Sequence, residues 1–477
     1  MICKKINFNK GSLLIQAMVF GSIATVIIGA LVSWAAVNIK ASKFALHREQ
    51  AFQIAEAGID YYRWHLAHAS TDYKDGNATS TGPYVHVFYD KDNNPIGTFT
   101  LTITPPLVGS TLVNIQSDGR IGIDPTVVRK IKVQLGIPSL AKYAMVTNSV
   151  VYYGSGDEVF GPIHSNVGVG FLNGSPQPVA HNLVSSAAST FSGHFGVYTT
   201  VPTADPNPPT AVPSRPDVFQ SGRQFPIPAI DFNSITGDLS SIKANAISAG
   251  FYRASSGGVG YKLVLKTDDT FDLYRVNSLL PAPSGCTNSQ SQTGWGTWSI
   301  GTIGGATTLL GNYPIPANGL VFLEDHVLVE GQINSARVTI AAGVFPVNSA
   351  TWKNIIVNNS LSYTNFDGTD AIGLIAQGNF LVGMASANSL TVDGGIIAQN
   401  GATIRYYYSG SCAGWGLRST LTTYGMFASN GQGYFYYGSS GYASQPASYD
   451  PNFLYGPPPS FPLTSNQYQI ISWKEVQ

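Results

Sequence analysis

The stretch GSLLIQAMVFGSIATVIIGALVSWAAVNI, Gly11–Ile39, carries no charged side chain. It runs for roughly 29 residues, where about 20 suffice to cross a bilayer as a helix. Lys4, Lys5 and Lys10 precede it, and Lys40, Lys43 and Arg48 follow. The short basic flank keeps the N-terminus on the cytoplasmic side, so everything after residue 40 is expected outside. A cleaved secretory signal is the alternative, but its apolar core spans roughly 7–15 residues, and this run is about twice as long.

The helical pattern continues beyond the apolar run. Phe44, Ala51, Phe52, Ala55, Ile59, Tyr62 and Leu66 recur at steps of three and four, on one face. Lys43, Arg48, Glu49, Gln53 and Asp60 fall largely between them, and the first proline is Pro83. A continuous helix over about residues 13–68 would be about 80 Å long. It is apolar all round in its first half and striped in its second, as in a helix that leaves lipid and packs one face on a folded domain.

Composition narrows the rest. Lys+Arg and Asp+Glu are 26 each, so the net charge is zero and no basic footprint for nucleic acid is expected. Charged residues make up 11%, against about 25% in an average soluble domain. The surface must then be covered by neutral polar groups, as in many secreted β-proteins. At 44% hydrophobic content the chain can bury a sizeable core, and 477 residues imply more than one folded unit.

Two segments resemble a known family. Lys10-Gly11-Ser12-Leu13-Leu14-Ile15-Gln16 resembles a type III signal, in which prepilin peptidase cuts after a glycine that follows a short basic leader. Gln50-Ala51-Phe52-Gln53-Ile54-Ala55-Glu56-Ala57-Gly58-Ile59 is similar to the AF-x-x-AEAG segment of PilX-type minor pilins and large minor pseudopilins. The resemblance implies a type IV pilin-like protein cleaved between Gly11 and Ser12, with Ser12 methylated. It implies the membrane, prepilin peptidase and other pilin-like subunits as partners. The protein would sit in the cytoplasmic membrane, N-terminus in and C-terminus out, and then in an extracellular filament or at the cell surface. One position departs from the family. The fifth mature residue is usually glutamate, thought to neutralise a neighbour's N-terminal ammonium, and here it is Gln16. An unpaired charge in an apolar shaft costs several kcal/mol, roughly. A subunit with no preceding neighbour escapes that cost, which points to a tip or initiating subunit rather than the shaft.

Strands are expected from there on. Tyr84–Tyr89 and Thr98–Thr104 flank Asp90-Lys91-Asp92-Asn93-Asn94-Pro95, and Leu112–Gln116 and Val127–Leu135 alternate with period two. The Asp90, Asp92, Asn94 spacing is that of the first ligands of an EF-hand, but Pro95 and Leu101 stand where glycine and glutamate belong, so a turn is expected. Helix plus antiparallel strands is the α+β pilin-like plan. The pattern I-x-S-x-G (Ile115–Gly119) followed by RKIKVQL (Arg129–Leu135) is also similar to the PilX-type group. After about residue 140, short apolar runs punctuated by glycine and asparagine suggest a mainly-β domain. TIAAG (Thr339–Gly343), LIAQG (Leu374–Gly378) and IIAQN (Ile396–Asn400) are near-repeats, as in the stacked rungs of a β-solenoid or β-helix. A sandwich of irregular hairpins is the alternative.

The expected organisation is a basic leader (1–11), a transmembrane and amphipathic helix (12–69), a pilin-like antiparallel part (70–138), a solenoid start (139–200), a Pro-rich, poorly folding connector (201–230), a small α+β insertion (231–280), a solenoid with Cys/Trp loops (281–447), and a Pro-rich tail with a final strand (448–477). Cys3 would leave with the leader. Cys286 and Cys412 remain outside, in glycine-rich loops bearing Trp295 and Trp415, and can pair there.

Motifs of catalysis are missing: no P-loop, HExxH, CxxC or GxSxG occurs. No catalytic residue, metal or cofactor is assigned, and the protein is expected not to be an enzyme. His164 is expected at a polar corner, and Glu324-Asp325-His326 would need spatial partners to act. Neutral aromatics cluster instead near the C-terminus: Tyr406, Tyr407, Tyr408, Trp415, Tyr434, Tyr436 and Tyr437 form the candidate binding surface for a glycan or protein ligand. Covering the open end of the solenoid is their alternative role. Two functions stand: a structural or adhesive minor pilin, and a membrane-tethered β-helix enzyme acting on extracellular polysaccharide.

Overall fold

The chain divides into two units, each with its own core. The computed structural model describes residues 10–172, 174–301 and 305–476. Most of the expected leader, including Cys3, lies outside the described residues.

Unit 1 comprises residues up to 105, 113–135 and 468–477. Helix α1 spans Lys10–His68, 59 residues and about 90 Å at 1.5 Å per residue. From Leu13 to Leu46 every side chain is exposed, and this region contains a window with a mean hydropathy of 2.2. The buried stripe starts later than expected: Phe44 is 52% exposed, whereas Ala51, Ile54, Ala55, Ile59, Tyr62 and Leu66 are buried. Phe44 precedes the point where α1 meets the sheet. Strands β1 (Tyr84–Tyr89), β2 (Pro95–Thr104), β3 (Val113–Ile121) and β4 (Asp124–Gly136) pair antiparallel in that order, and the last strand, Gln469–Val476, lies beside β4. At the β1–β2 turn, Asp90 Oδ1 accepts the N–H groups of Asp92 and Asn94 at 2.9 and 2.8 Å. That carboxylate is spent on closing the turn.

The small residues of the two family-like segments meet in space. A Cβ on Gly119 of β3 would stand 2.1 Å from the Ala51 carbonyl oxygen and 2.4 Å from the Ala55 nitrogen. One on Gly58 would stand 2.3 Å from Ser117 Oγ. Ala51, Ala55 and Gly58 recur at helical spacing, and Ser117 and Gly119 at strand spacing, so one small face docks on another. The helix backbone thereby lies directly on β3, and Ile54, Ile59, Phe99, Leu101, Ile115 and Val133 fill the core on either side.

Unit 2 comprises residues 106–112 and 136–467. Most of its strands pair in parallel with strands distant in sequence. One run of neighbours is Phe251–Arg253, Leu320–Leu323, Arg337–Ala342, Ala371–Ala376, then the ends of Ser389–Ala398 and Leu417–Ser429. The next strand in space is Met145–Thr147, followed by Ile163–Ser165, Val184–Ser186 and Arg223–Gln224. A second run stacks Gly260–Leu265, Val327–Gln332, Ile355–Val357, Phe380–Val382 and Thr403–Arg405. The order along the stack is therefore cyclic: residues 251–429 come first and 145–224 continue them.

That order explains the segment between. The chain leaves the stack at Gln224 on one end and re-enters at Phe251 on the other, about nine strand spacings or roughly 43 Å away. Residues 225–233 in extended form and helix α2 (Ser234–Ala249) together reach about 54 Å, enough to span it. Phe232, Ile235, Leu239, Ile242 and Ala246 of this crossing are buried in the main core. The expected separate insertion at 231–280 is therefore corrected. Its helix covers the stack, and its strands Phe251–Arg253 and Gly260–Leu265 are hydrogen-bonded members of it. The connector at 201–230 is also folded: Val218 and Phe219 are buried, and buried Asp205 pairs with Arg215 and Arg223. In the tail, Pro457–Pro459 are buried; Arg337 donates to the Gly456 and Pro457 carbonyls at 2.6 Å, and Thr339 Oγ1 to Pro459 O at 2.6 Å.

The near-repeats align only in part. Leu374, Ile375 and Ala376 face Ile396, Ile397 and Ala398 as their letters suggest, but Ile340 faces Leu374, one place off. These strands are buried on both sides, so alternation does not set their register.

One interior acid is misplaced electrostatically. Asp393, 2% exposed, accepts the Tyr363 N–H at 3.0 Å. Burial first, and Asp450 second, raise its pKa from 3.8 to about 6. The folded state thus holds the proton more tightly than the unfolded one. Stability is lowest above pH 6 and is regained as pH falls from 6 toward 3.8. Asp393→Asn keeps an acceptor and removes the charge, so it is expected to stabilise unit 2 at pH 7.5 by about 2–3 kcal/mol. Melting curves at pH 7.5 and 4 check this: the gain should fade at the lower pH.

Candidate functional site

Among the sequence-predicted residues, Gly11 and Ser12 lie in the first turn of α1, and Gln16 is exposed on it. Cys286 and Cys412 are brought together as a disulfide. The two loops that carry them lie over an outward-facing column on the second run, Leu328, Ile356, Leu381 and Ile404, in register with one another. Trp295, Trp298 and Met384 pack in the same cluster.

The aromatic surface divides. Tyr406 and Tyr408 are 2% and 0% exposed, which corrects their assignment to a binding surface. Their hydroxyls donate to the Thr293 and Gly296 carbonyls, and burial pushes the Tyr406 phenol up to about 12. They fasten the Cys286 loop to the sheet. Tyr407, Trp415 and Tyr437 are half-buried, while Tyr434 and Tyr436 are 42% exposed. Tyr437 stands between Tyr434 and Tyr407, with ring centroids 5.8 and 6.1 Å away. Gln292 holds this group by donating to the Tyr437 hydroxyl at 2.6 Å and accepting the Tyr407 N–H at 2.7 Å. Four of the tyrosines therefore remain at or near the surface.

His164, expected at a polar corner, lies instead in the middle of the strand Ile163–Ser165. It is buried in a strand, bonded to Ser185 and Asn166 at 3.1 and 3.0 Å, and burial lowers its pKa. Asp325 accepts from Ser255, Ser256 and Lys353, and Glu324 pairs with Lys243. Burial and Lys353 lower His326 to about 4. Each of these groups is engaged with a neighbouring strand, loop or helix of the unit.

A cleft lies where the two chain segments of the stack meet. In the first run, Leu417–Ser429 is hydrogen-bonded to Met145–Thr147 across this seam, and Asn148 donates to Asn430 at 2.8 Å. In the second run the ladder is interrupted. Tyr434 bridges back to Ile404, while Val150–Tyr153 forms the edge of a separate three-stranded sheet. Between them opens a cleft of 270 Å³. Tyr152 and Tyr434 are its exposed rings, Met145, Leu421, Phe427 and Phe435 its apolar walls, and Thr403, Thr423, Ser429, Gln432 and Gln445 its polar groups. Among the described residues, no charged side chain lines it. Of these residues only Tyr434 belongs to the aromatic surface expected from the sequence. Tyr152 lies about 280 residues before Tyr434, and only the cyclic order of the stack brings the two to one cleft.

No protein-family model matches the chain, and no curated protein matches it. Among solved structures, the chain is similar to the competence-associated pilin ComZ from Thermus thermophilus at 14% identity, over 90% of this chain and 97% of that one, with a TM-score of 0.34.

Proposed function

We propose that this chain is a minor pilin-like subunit of a type IV pilus or a related filament, at its tip or as its initiating member. In this reading α1 anchors the chain in the cytoplasmic membrane and later packs with other pilin-like subunits. Unit 2, whose parallel runs support its reading as a β-solenoid, is the binding domain exposed at the cell surface. The observation that carries the proposal is the division of α1. Its first part is apolar and exposed on every side, and its second part lies backbone-close on an antiparallel sheet through Ala51, Ala55, Gly58 and Gly119. A free apolar rod of that length needs lipid or other such rods around it. Gln16 supports the tip position, since it accepts a hydrogen bond but offers no charge to a preceding subunit's ammonium.

The test is mass spectrometry of the N-terminus, with sheared filaments as the source. A mature chain beginning at methylated Ser12, substoichiometric in filaments that fail to form when it is deleted, is expected. A chain beginning at Met1 and confined to the membrane would sink the reading. The alternative, a tethered polysaccharide-cleaving enzyme, requires carboxylates converging in a groove. A cleft lined by hydroxyls, amides and rings favours binding over hydrolysis.

A further inference from the structure

We infer that the seam cleft binds an uncharged saccharide, one or two hexose rings seated between Tyr152 and Tyr434. This rests on the reading of unit 2 as the ligand-bearing part of the protein. Its 270 Å³ lies just below the range of roughly 300–1,000 Å³ for small-molecule pockets, which limits the occupant to a ring or two. The lining excludes other chemistries. A charged ligand would lose its hydration with no side chain of opposite sign among the described lining residues to replace it. A purely apolar ligand would face the hydroxyls of Thr403 and Thr423 and the amide of Gln432. A hexose has a C–H face and a hydroxyl edge, matching half-exposed tyrosine rings flanked by groups that both donate and accept.

An extended peptide fits less well. A strand that filled the cleft and paired on both sides would need two open edges about 9.6 Å apart, two strand spacings. The adjoining run is hydrogen-bonded at a single spacing through residues 427–429 and 145–147, so the insertion would have to split that ladder. A ring entering from the side leaves it intact.

The experiment uses the full chain in detergent micelles on an array. The array carries neutral oligosaccharides of glucose, galactose, mannose and N-acetylhexosamines, sialylated and sulfated ones, and a set of extended peptides. Retention on neutral oligosaccharides is expected, with competition by the free sugar. Tyr152→Ala and Tyr434→Ala should each weaken it at least about tenfold, with melting temperatures unchanged. Tyr434→Trp should retain it, and Tyr436→Ala, an exposed ring outside the cleft, should leave it within about twofold. No retention, retention on acidic sugars or peptides only, or equal loss in Tyr436→Ala overturns the inference. A blank array from chains that begin at Ser12 and enter filaments overturns the ligand alone. Sugar binding by a chain that never enters filaments overturns the filament reading alone.

Discussion

Replacing Cys286 and Cys412 together by serine is expected to cost unit 2 about 3–5 kcal/mol and to release both loops from the sheet. The disulfide closes a sequence separation of 126 residues, for which the chain-entropy account gives about 5 kcal/mol, an upper value because native packing also constrains the loops. The effect is expected to be large because the Cys286 loop has no backbone ladder of its own. The described residues from 279 to 301 form neither helix nor strand. They are kept in place by the disulfide, by side-chain bonds that include Tyr406 and Tyr408 donating to the Thr293 and Gly296 carbonyls and Trp295 donating to the Tyr407 carbonyl at 2.9 Å, and by the apolar column of Leu328, Ile356, Leu381 and Ile404 beneath. Thermal melts with and without reductant, and limited proteolysis of the double variant, check this. Cleavage should begin within 279–301 before the stacked strands yield. An unchanged melting temperature and digestion pattern would mean that packing alone secures the loops.

The second large effect is expected at Arg405. This side chain is 0% exposed and has no carboxylate partner among the described residues. It follows Val357 and Val382 in register, so an arginine continues a column of core valines. Its guanidinium donates to the carbonyls of Gly416 at 2.9 Å, Met384 at 3.1 Å and Trp415 at 2.5 Å. It lies 4.8 Å from the Tyr408 ring and 5.9 Å from that of Tyr442. Burial lowers its pKa to about 10, so it stays charged at neutral pH. Arg405→Ala removes the donors of three carbonyls and leaves a cavity, at about 4 kcal/mol or more. Arg405→Lys keeps the charge but not the planar fork, and Arg405→Met keeps the volume but not the donors; each should cost about 2–3 kcal/mol. Denaturant melts of the three variants separate these contributions. A neutral Met variant would show that the carbonyl bonds add nothing beyond packing.

Both effects converge on the loop carrying Cys412, which Arg405 holds through Trp415 and Gly416 and the disulfide holds from the other side. That loop was visible in sequence as a glycine-rich, tryptophan-bearing stretch, but the burial of Tyr406 and Tyr408 was not. A tyrosine run reads alike whether its rings cover a surface or fasten a loop, because the hydroxyl satisfies water or a backbone carbonyl equally well. Tyr434 and Tyr436, a few tens of residues on, kept their exposure. The difference is set by what packs over them, the Cys286 loop, more than a hundred residues earlier in the chain.

The local pattern alone determined α1. Charge-free length, the small-residue face of Ala51, Ala55 and Gly58, and the period-two strands that receive it are short-range features, and short-range features are legible along the chain. Parallel pairing is different in kind. Strands buried on both faces carry no alternation to set their register, and their neighbours lie tens to hundreds of residues away. The cyclic order of unit 2, the crossing by α2 and the cleft between Tyr152 and Tyr434 were therefore decided only by the tertiary structure.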